Sequence, residues 1–159
     1  MEDKLIFESE NFLLNSVEKP HITRTDGGHI KITPKHHFAD RSKLSPKLAV
    51  EMAWITMLSG EAMKNGLIKR GIDIGLVNYQ DMKNWGVFKP EGPYLHIHLY
   101  GRAKDAIIQK YGNSMELPQR ETGFYDKFEP LNDGDIEIIK QEISELLLDD
   151  KYQKINWHM

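Results

Sequence analysis

The chain has 159 residues, 40% of them hydrophobic, with 21 Lys and Arg against 24 Asp and Glu and no cysteine. That length suits one domain and falls short of an eight-unit α/β barrel, which takes roughly 250 residues. The composition excludes wholesale disorder, a broadly basic nucleic-acid surface, disulfide scaffolds, and cysteine-based zinc sites or nucleophiles. No segment approaches the roughly 20 apolar residues of a membrane helix, and the acidic start Met1-Glu2-Asp3-Lys4 shows no secretory pattern. The expected location is the cytoplasm, with neither a membrane nor a nucleic acid as partner.

Leu5–Phe7 and Phe12–Leu14 are short apolar runs that read as two strands joined by a polar turn. Glu18–Thr25, with Pro20, is a loop, and Asp26-Gly27-Gly28 is a turn. His29–Thr33 alternates as a strand with one buried face does, and Pro34 ends it. Ser45 caps a helix with Pro46 in its first turn, and Leu48, Met52, Ile55 and Ala62 recur at helical spacing. Gly60 and Gly66 weaken that helix, and Gly71 marks its exit. Ile72–Tyr79 alternates as a strand, Gln80–Pro93 is a loop, and Tyr94–Tyr100 is the cleanest strand, stopped by Gly101. Beyond Arg102, Lys104–Tyr111 is expected as a short helix and Gly112–Asp133 as an extended covering segment. Asn132 or Asp133 caps a final helix, whose Ile136, Ile139, Ile143, Leu146 and Leu147 form one face to bury. The expected fold class is α+β: a mostly antiparallel sheet, a long packed helix and a C-terminal helical extension.

Histidine carries the chemistry. Strand side chains alternate between faces, so Tyr94, His96, His98 and Tyr100 share one face while Leu95, Ile97 and Leu99 supply the core contact. Two neighbouring imidazoles can divide labour, one neutral as nucleophile or base and the other holding or delivering a proton, because the ring titrates near neutrality. Imidazole also attacks phosphorus to form a transient covalent intermediate. The same spacing suits two exposed sheet-edge histidines, or a metal pair completed by Asp40, His36 or His37. His29 is expected to pack or hydrogen-bond locally, and His36 to face away from His37. Lys35 and Arg102 read as solvated surface charges ahead of phosphate contacts. Trp54 and Trp85 read as core or loop anchors, and Phe7, Phe12, Ile30 and Ile32 as either core or the walls of a base pocket.

Two separated motifs resemble the histidine triad family. The first is Gly28-His29-Ile30-Lys31-Ile32-Thr33-Pro34-Lys35-His36-His37, followed by Leu44-Ser45-Pro46 opening a helix. The second is Tyr94-Leu95-His96-Ile97-His98-Leu99-Tyr100-Gly101-Arg102, and Asn78 near the end of the intervening strand also fits. The resemblance runs from about Phe7 to Arg102. It implies a histidine triad-like nucleotide-binding domain over residues 1–102, with 103–159 packed on it as an extension. It also implies a homodimer acting on a nucleotide or nucleoside phosphate derivative, with no cofactor and no metal.

Carried over by position, the resemblance implies that His96 attacks the α-phosphate and is transiently nucleotidylated. His98 contacts phosphate, His37 sits beside the triad, and Asn78 contacts phosphate or orients the site. Glu18 is the nearest acidic residue for the ribose hydroxyls. Tyr94 stands where the family has its first histidine; it keeps the backbone carbonyl that orients the nucleophile and loses an imidazole. Glu91 stands where a small hydroxyl residue faces phosphate, and Lys89 offers a replacement positive charge. The implied activity is nucleotide phosphohydrolase or nucleotidyl transferase; the alternatives are a catalytically impaired nucleotide-binding module and a metal-dependent hydrolase.

Overall fold

The computed structural model describes residues 3–159. Five strands and two helices follow the order β1 (Leu5–Glu8), β2 (Phe12–Ser16), β3 (His29–Pro34), α1 (Pro46–Lys69), β4 (Ile74–Gln80), β5 (Ile97–Ala103) and α2 (Asp133–Leu146). The strands form one antiparallel sheet in the order β1-β2-β3-β5-β4. The architecture is therefore α+β, as the residue pattern implied. β3 and β4 both run antiparallel to β5, so they are parallel to each other, and α1 is the crossover that joins them. β5 then returns into the gap. This insertion makes His98 an interior part of the sheet, with His96 just before the strand begins.

The periodic apolar residues pack where their faces direct them. Phe12, Leu14, Ile30, Ile32, Ile97 and Leu99 point from one sheet face into a core closed by Ile55, Leu58 and Ala62 of α1. Ile139 and Ile143 of α2 join the same core, whereas Leu146 and Leu147 are only partly buried against it. Phe12, Ile30 and Ile32 are thus core residues on the face away from the histidines, and they build no base pocket. Phe7 packs on Trp54, with ring centroids 6.2 Å apart.

α1 starts as its sequence implies: Ser45 Oγ accepts from the Leu48 amide, and Pro46 opens the first turn. It runs through Gly60 and Gly66 without a break. A methyl group at Gly60 would overlap the Tyr79 hydroxyl, and one at Gly66 would press on α2, so these glycines serve close packing. Gly71, at φ +83°, ends the helix in the left-handed conformation.

Two expectations change. Lys104–Tyr111 forms turns, because Asp26 draws the Ile107, Ile108 and Gln109 amides onto its carboxylate at 3.0, 2.8 and 2.8 Å. Amides committed to a side chain 80 residues away do not build a helix. β5 begins three residues later than expected and continues through Gly101 to Ala103. There the strand runs against the Gly27–Gly28 turn so closely that a Cβ at either Gly27 or Gly101 would lie 2.1 Å from the other's carbonyl oxygen. Gly101 permits that crossing and does not stop the strand.

The final helix is capped by a reciprocal pair: Asn132 accepts from the Asp135 amide, and Asp135 accepts from the Asn132 amide. The fully buried Asp135 carboxylate also takes Arg24 through two nitrogens, at 2.5 and 2.9 Å, and Arg70 Nε at 3.1 Å. Burial works against its charge, but Arg24, the Asn132 amide and Arg70 outweigh burial and hold the carboxyl below its ordinary range. One side chain thereby joins α2, the end of α1 and the loop before β3. Asp135→Ala should destabilise the fold by about 2–3 kcal/mol, since it leaves two arginines unpaired beside the core. Urea unfolding checks this; a change under about 0.5 kcal/mol would reduce the network to surface chemistry.

Candidate active site

The sheet face opposite the core carries a cavity of about 330 Å³, lined by His21, His29, His96 and His98 among others. The extended segment leading into β5 continues its alternation and places Tyr94 and His96 in a row with His98 and Tyr100 of the strand, with successive ring centroids 4.8, 4.6 and 5.5 Å apart. β3 pairs beside them, Lys31 opposite His98 and His29 opposite Tyr100. The loop before β3 then brings His21 onto His29, the rings stacked at 5.0 Å.

Main-chain groups decide where the protons sit. A backbone N–H only donates and a carbonyl only accepts. The His21 amide donates to His29 Nδ1 at 3.2 Å, so the proton of neutral His29 is on Nε2. That Nε2–H donates to His98 Nδ1 at 2.8 Å, which leaves the His98 proton on Nε2. At the other end of the row, His96 Nδ1–H donates to the Tyr94 carbonyl at 3.0 Å, so His96 Nε2 carries a lone pair. The cavity therefore holds a free imidazole lone pair on His96 next to an imidazole N–H on His98, with the rings perpendicular.

Burial keeps these rings neutral. It lowers His98 to about 2, with His96 the next cause, and His21 to about 4, with Arg120 the next. His29, fully buried, is held well below 6.5, and His96 is lowered less completely, chiefly by burial, with the Tyr94 carbonyl opposing. Tyr100, fully buried, remains a phenol and meets His21 Nδ1 at 2.8 Å.

The cavity rim is cationic. Lys31, Lys83, Lys89 and Arg120 line it, and no described Asp or Glu does. Lys31 pairs with Asp3 at 3.1 Å, and Lys83 with Asp81 and Asp40 at 2.9 and 3.1 Å. Arg120 lies over the rings of Trp85 and Tyr125, 5.7 and 5.3 Å from their centroids. Trp85 thus forms cavity wall, and the segment after β5 closes the cavity from above.

Of the residues singled out in the sequence, His96, His98, Tyr94 and Lys89 meet at this cavity. His37 is exposed and off its wall, its ring 6.3 Å from that of Tyr94. Glu18 is also off the wall, its amide bonded to Asp3. Asn78 lies opposite Tyr100 and faces a different cavity, where its Oδ1 accepts from Arg102. Arg102 is buried and is not a solvated surface charge. Lys35 does sit at the surface, paired with Glu8.

The sequence reading missed His21 and underweighted His29. Alternation along His29–Thr33 puts His29 and Lys31 together on the face away from Ile30 and Ile32, and that signal was available for His29. His21 sits in a loop with no periodicity, and only the folded path brings it in.

A metal centre does not fit these donors. The His21, His29 and His98 ring nitrogens lie within 4.8 Å of one another. A ligating nitrogen needs a free lone pair, but His29 has spent Nδ1 on the His21 amide, and its Nε2 proton occupies His98 Nδ1. Asp40 is engaged by Lys83 and the Ser42 amide, and His36 is exposed, so the trio proposed around His96 and His98 is not assembled either.

No protein-family model matches the sequence, and no curated protein matches it. Solved structures do. A hypothetical histidine triad nucleotide-binding protein from Sulfolobus tokodaii is similar with TM-score 0.57 and 16% identity, over 92% of this chain and 87% of that one. A zinc-bound histidine triad family protein from Mycobacterium smegmatis gives TM-score 0.57 and 20% identity over the same shares, 92% and 87%. A uridylyltransferase mutant gives TM-score 0.57 and 14% identity over 92% of this chain and 45% of that one. The chain has the histidine triad fold. Among the described residues, no helix is long and apolar enough to cross a membrane.

The neutral cluster sets a pH dependence. The folded chain holds these rings below 6.5, so below that pH the unfolded chain takes up protons that the folded one refuses. Stability is full above pH 6.5 and falls as pH drops through the window down to about 4 for His21 and about 2 for His98. The slope is up to about 1.4 kcal/mol per pH unit for each ring that stays neutral. Denaturant midpoints taken on either side of neutrality should decrease toward acid, and a flat profile would contradict the neutral cluster.

Proposed function

We infer that the chain is a nucleotide phosphohydrolase or nucleotidyl transferase of the histidine triad type, acting at the α-phosphate of a nucleoside phosphate derivative. One observation carries this reading: the Tyr94 carbonyl holds His96 Nδ1–H and so aims an unprotonated Nε2 into a cation-lined cavity. The hydrogen bond needs only a carbonyl, so tyrosine at this position preserves what matters for the nucleophile.

In the proposed reaction, the His96 Nε2 lone pair forms a bond to phosphorus. The phosphorus–oxygen bond to the leaving group breaks, and the leaving group departs with the electron pair. The positive charge left on His96 is held at Nδ1–H by the Tyr94 carbonyl. His98 Nε2–H donates to a non-bridging oxygen, where negative charge accumulates. The His29 proton keeps His98 in that donor form. Lys83 and Lys89 face the anionic leaving group. Water, or an acceptor alcohol or phosphate, then attacks phosphorus; the phosphorus–Nε2 bond breaks and returns its electron pair to His96, and any proton on the attacking oxygen passes to solvent.

His96→Ala should lower kcat on nucleoside diphosphate-linked substrates by ~10³-fold or more. Quenching the wild type in denaturant at alkaline pH, where a phosphorus–nitrogen bond survives, should trap a nucleotidylated protein that the variant lacks. Full activity in the variant would remove the covalent route. Tight nucleotide binding with no turnover in the wild type would leave a binding module.

His29→Phe takes away the proton that sets the His98 tautomer while leaving His96 untouched. It should lower kcat by roughly 10²-fold, with KM less affected and the nucleotidylated intermediate still detectable. An unchanged kcat in the folded variant would show that the His98 tautomer does not matter.

The homodimer implied by the resemblance finds support in β4, the sheet edge, where Leu76 and Tyr79 are exposed. A cytoplasmic nucleotide pool is the matching source of substrate.

A further inference from the structure

A second cavity, of about 410 Å³, opens on the same sheet face further along β5. Asn78, Gln80, Arg102, Asn113 and Ser114 contribute to its wall, and no described carboxylate does. The reaction above uses none of these side chains. Arg102 and His98 are four residues apart on β5, roughly 13 Å at the ordinary strand rise, and the fully buried Tyr100 separates them.

Arg102 is 4% exposed, and its hydrogen-bond partners are all neutral. Nη1 donates to Asn78 Oδ1 at 2.7 Å, and Nη2 donates to the Lys110 and Asn113 carbonyls at 2.8 and 3.0 Å. The Nε–H has no acceptor, and Gln80 Oε1 beside the same cavity has no donor. A guanidinium does not give up its proton, so a full positive charge is buried here with only neutral groups in hydrogen-bond contact; the buried Asp26 carboxylate acts on it through space, while its own oxygens are taken by the Ile107, Ile108 and Gln109 amides. Removing a charge from water without an ion partner in direct contact is costly, and the Nε–H still lacks any acceptor. Arginine is also the side chain whose planar fork best matches an oxyanion.

We propose that this cavity binds a phosphate-class oxyanion, with Arg102 as its counter-charge and the Asn78, Gln80 and Ser114 side chains as its polar wall. A phosphate that retains one hydroxyl suits the pair of orphan groups: its oxygens accept from Arg102, and its hydroxyl can donate to Gln80 Oε1. The site is separate from the histidine cavity and independent of the reaction assigned to it. Inorganic phosphate and a small phosphate monoester share this chemistry.

Nitrogen-15 NMR of the intact chain tests the proposal, with inorganic phosphate and glycerol 3-phosphate as the probes. Saturable shifts are expected at the Arg102 Nε–H and at the Asn113 and Ser114 amides. Tighter binding of glycerol 3-phosphate supports a monoester as ligand, and equal binding supports free phosphate. Ser114 is exposed, so Ser114→Asp should fold while placing a carboxylate in the cavity. It should weaken binding at this site tenfold or more and leave any shifts around His96 in place. Saturable shifts confined to the surroundings of His96, no shifts at all, or undiminished binding to Ser114→Asp would each overturn the proposal.

Discussion

A single hydrogen bond from the His96 ring to the Tyr94 carbonyl fixes the polarity of the histidine-lined face. At the far end, the His21 amide does the same for His29, and the choice passes through His29 to His98. Side-chain tautomers are ordinarily free to exchange, because their two forms differ little in energy. Anchored at both ends to main-chain groups with one permitted role each, these rings have one consistent proton arrangement. It leaves a lone pair and an N–H side by side, the pair of groups that the proposed attack on phosphorus uses. The same bonding leaves no set of free lone pairs for a metal ion.

Sheet topology makes those anchors available. The α1 crossover leaves a gap between β3 and β4, and β5 fills it with its apolar side chains toward α1 and His98 toward the cavity on the other face. His98 acquires β3 on one side and β4 on the other, so the rings are buried without losing their hydrogen bonds. The glycine-to-glycine crossing at Gly27 and Gly101 lets the loop before β3 approach closely enough to bring His21 over His29.

The segment after β5 is part of the site as well as part of the stability. Asp26 organises its first turn, Arg120 covers the cavity beside Trp85, and Asp135 fastens α2 to the loop leading into β3. Tyr152, fully buried near the C-terminus, holds Trp54 through its carbonyl and Glu61 through its hydroxyl. The cationic rim around the cavity is thus assembled from loops far apart in sequence.

Local signals in the sequence determined a good deal. Alternation along Tyr94–Tyr100 separated His96 and His98 from the core residues; Ser45-Pro46 and the Asn132-Asp133 pair marked both helix starts; and two ordered motifs pointed to the histidine triad fold. These are short-range properties, decided by side-chain period and by capping chemistry within a few residues. What the folded chain alone decided depends on long-range approach: the loop histidine His21, the relay through His29, the amides that Asp26 withdraws from a helix, and the strand that continues past Gly101. Asn78 and Arg102 show the same limit, because residue type suggested phosphate contact and a surface charge, whereas register put them together at a separate buried cavity. A residue's type and spacing set what it can do, but burial and hydrogen-bond partners come from segments 80 or so positions away, and no local pattern encodes that meeting.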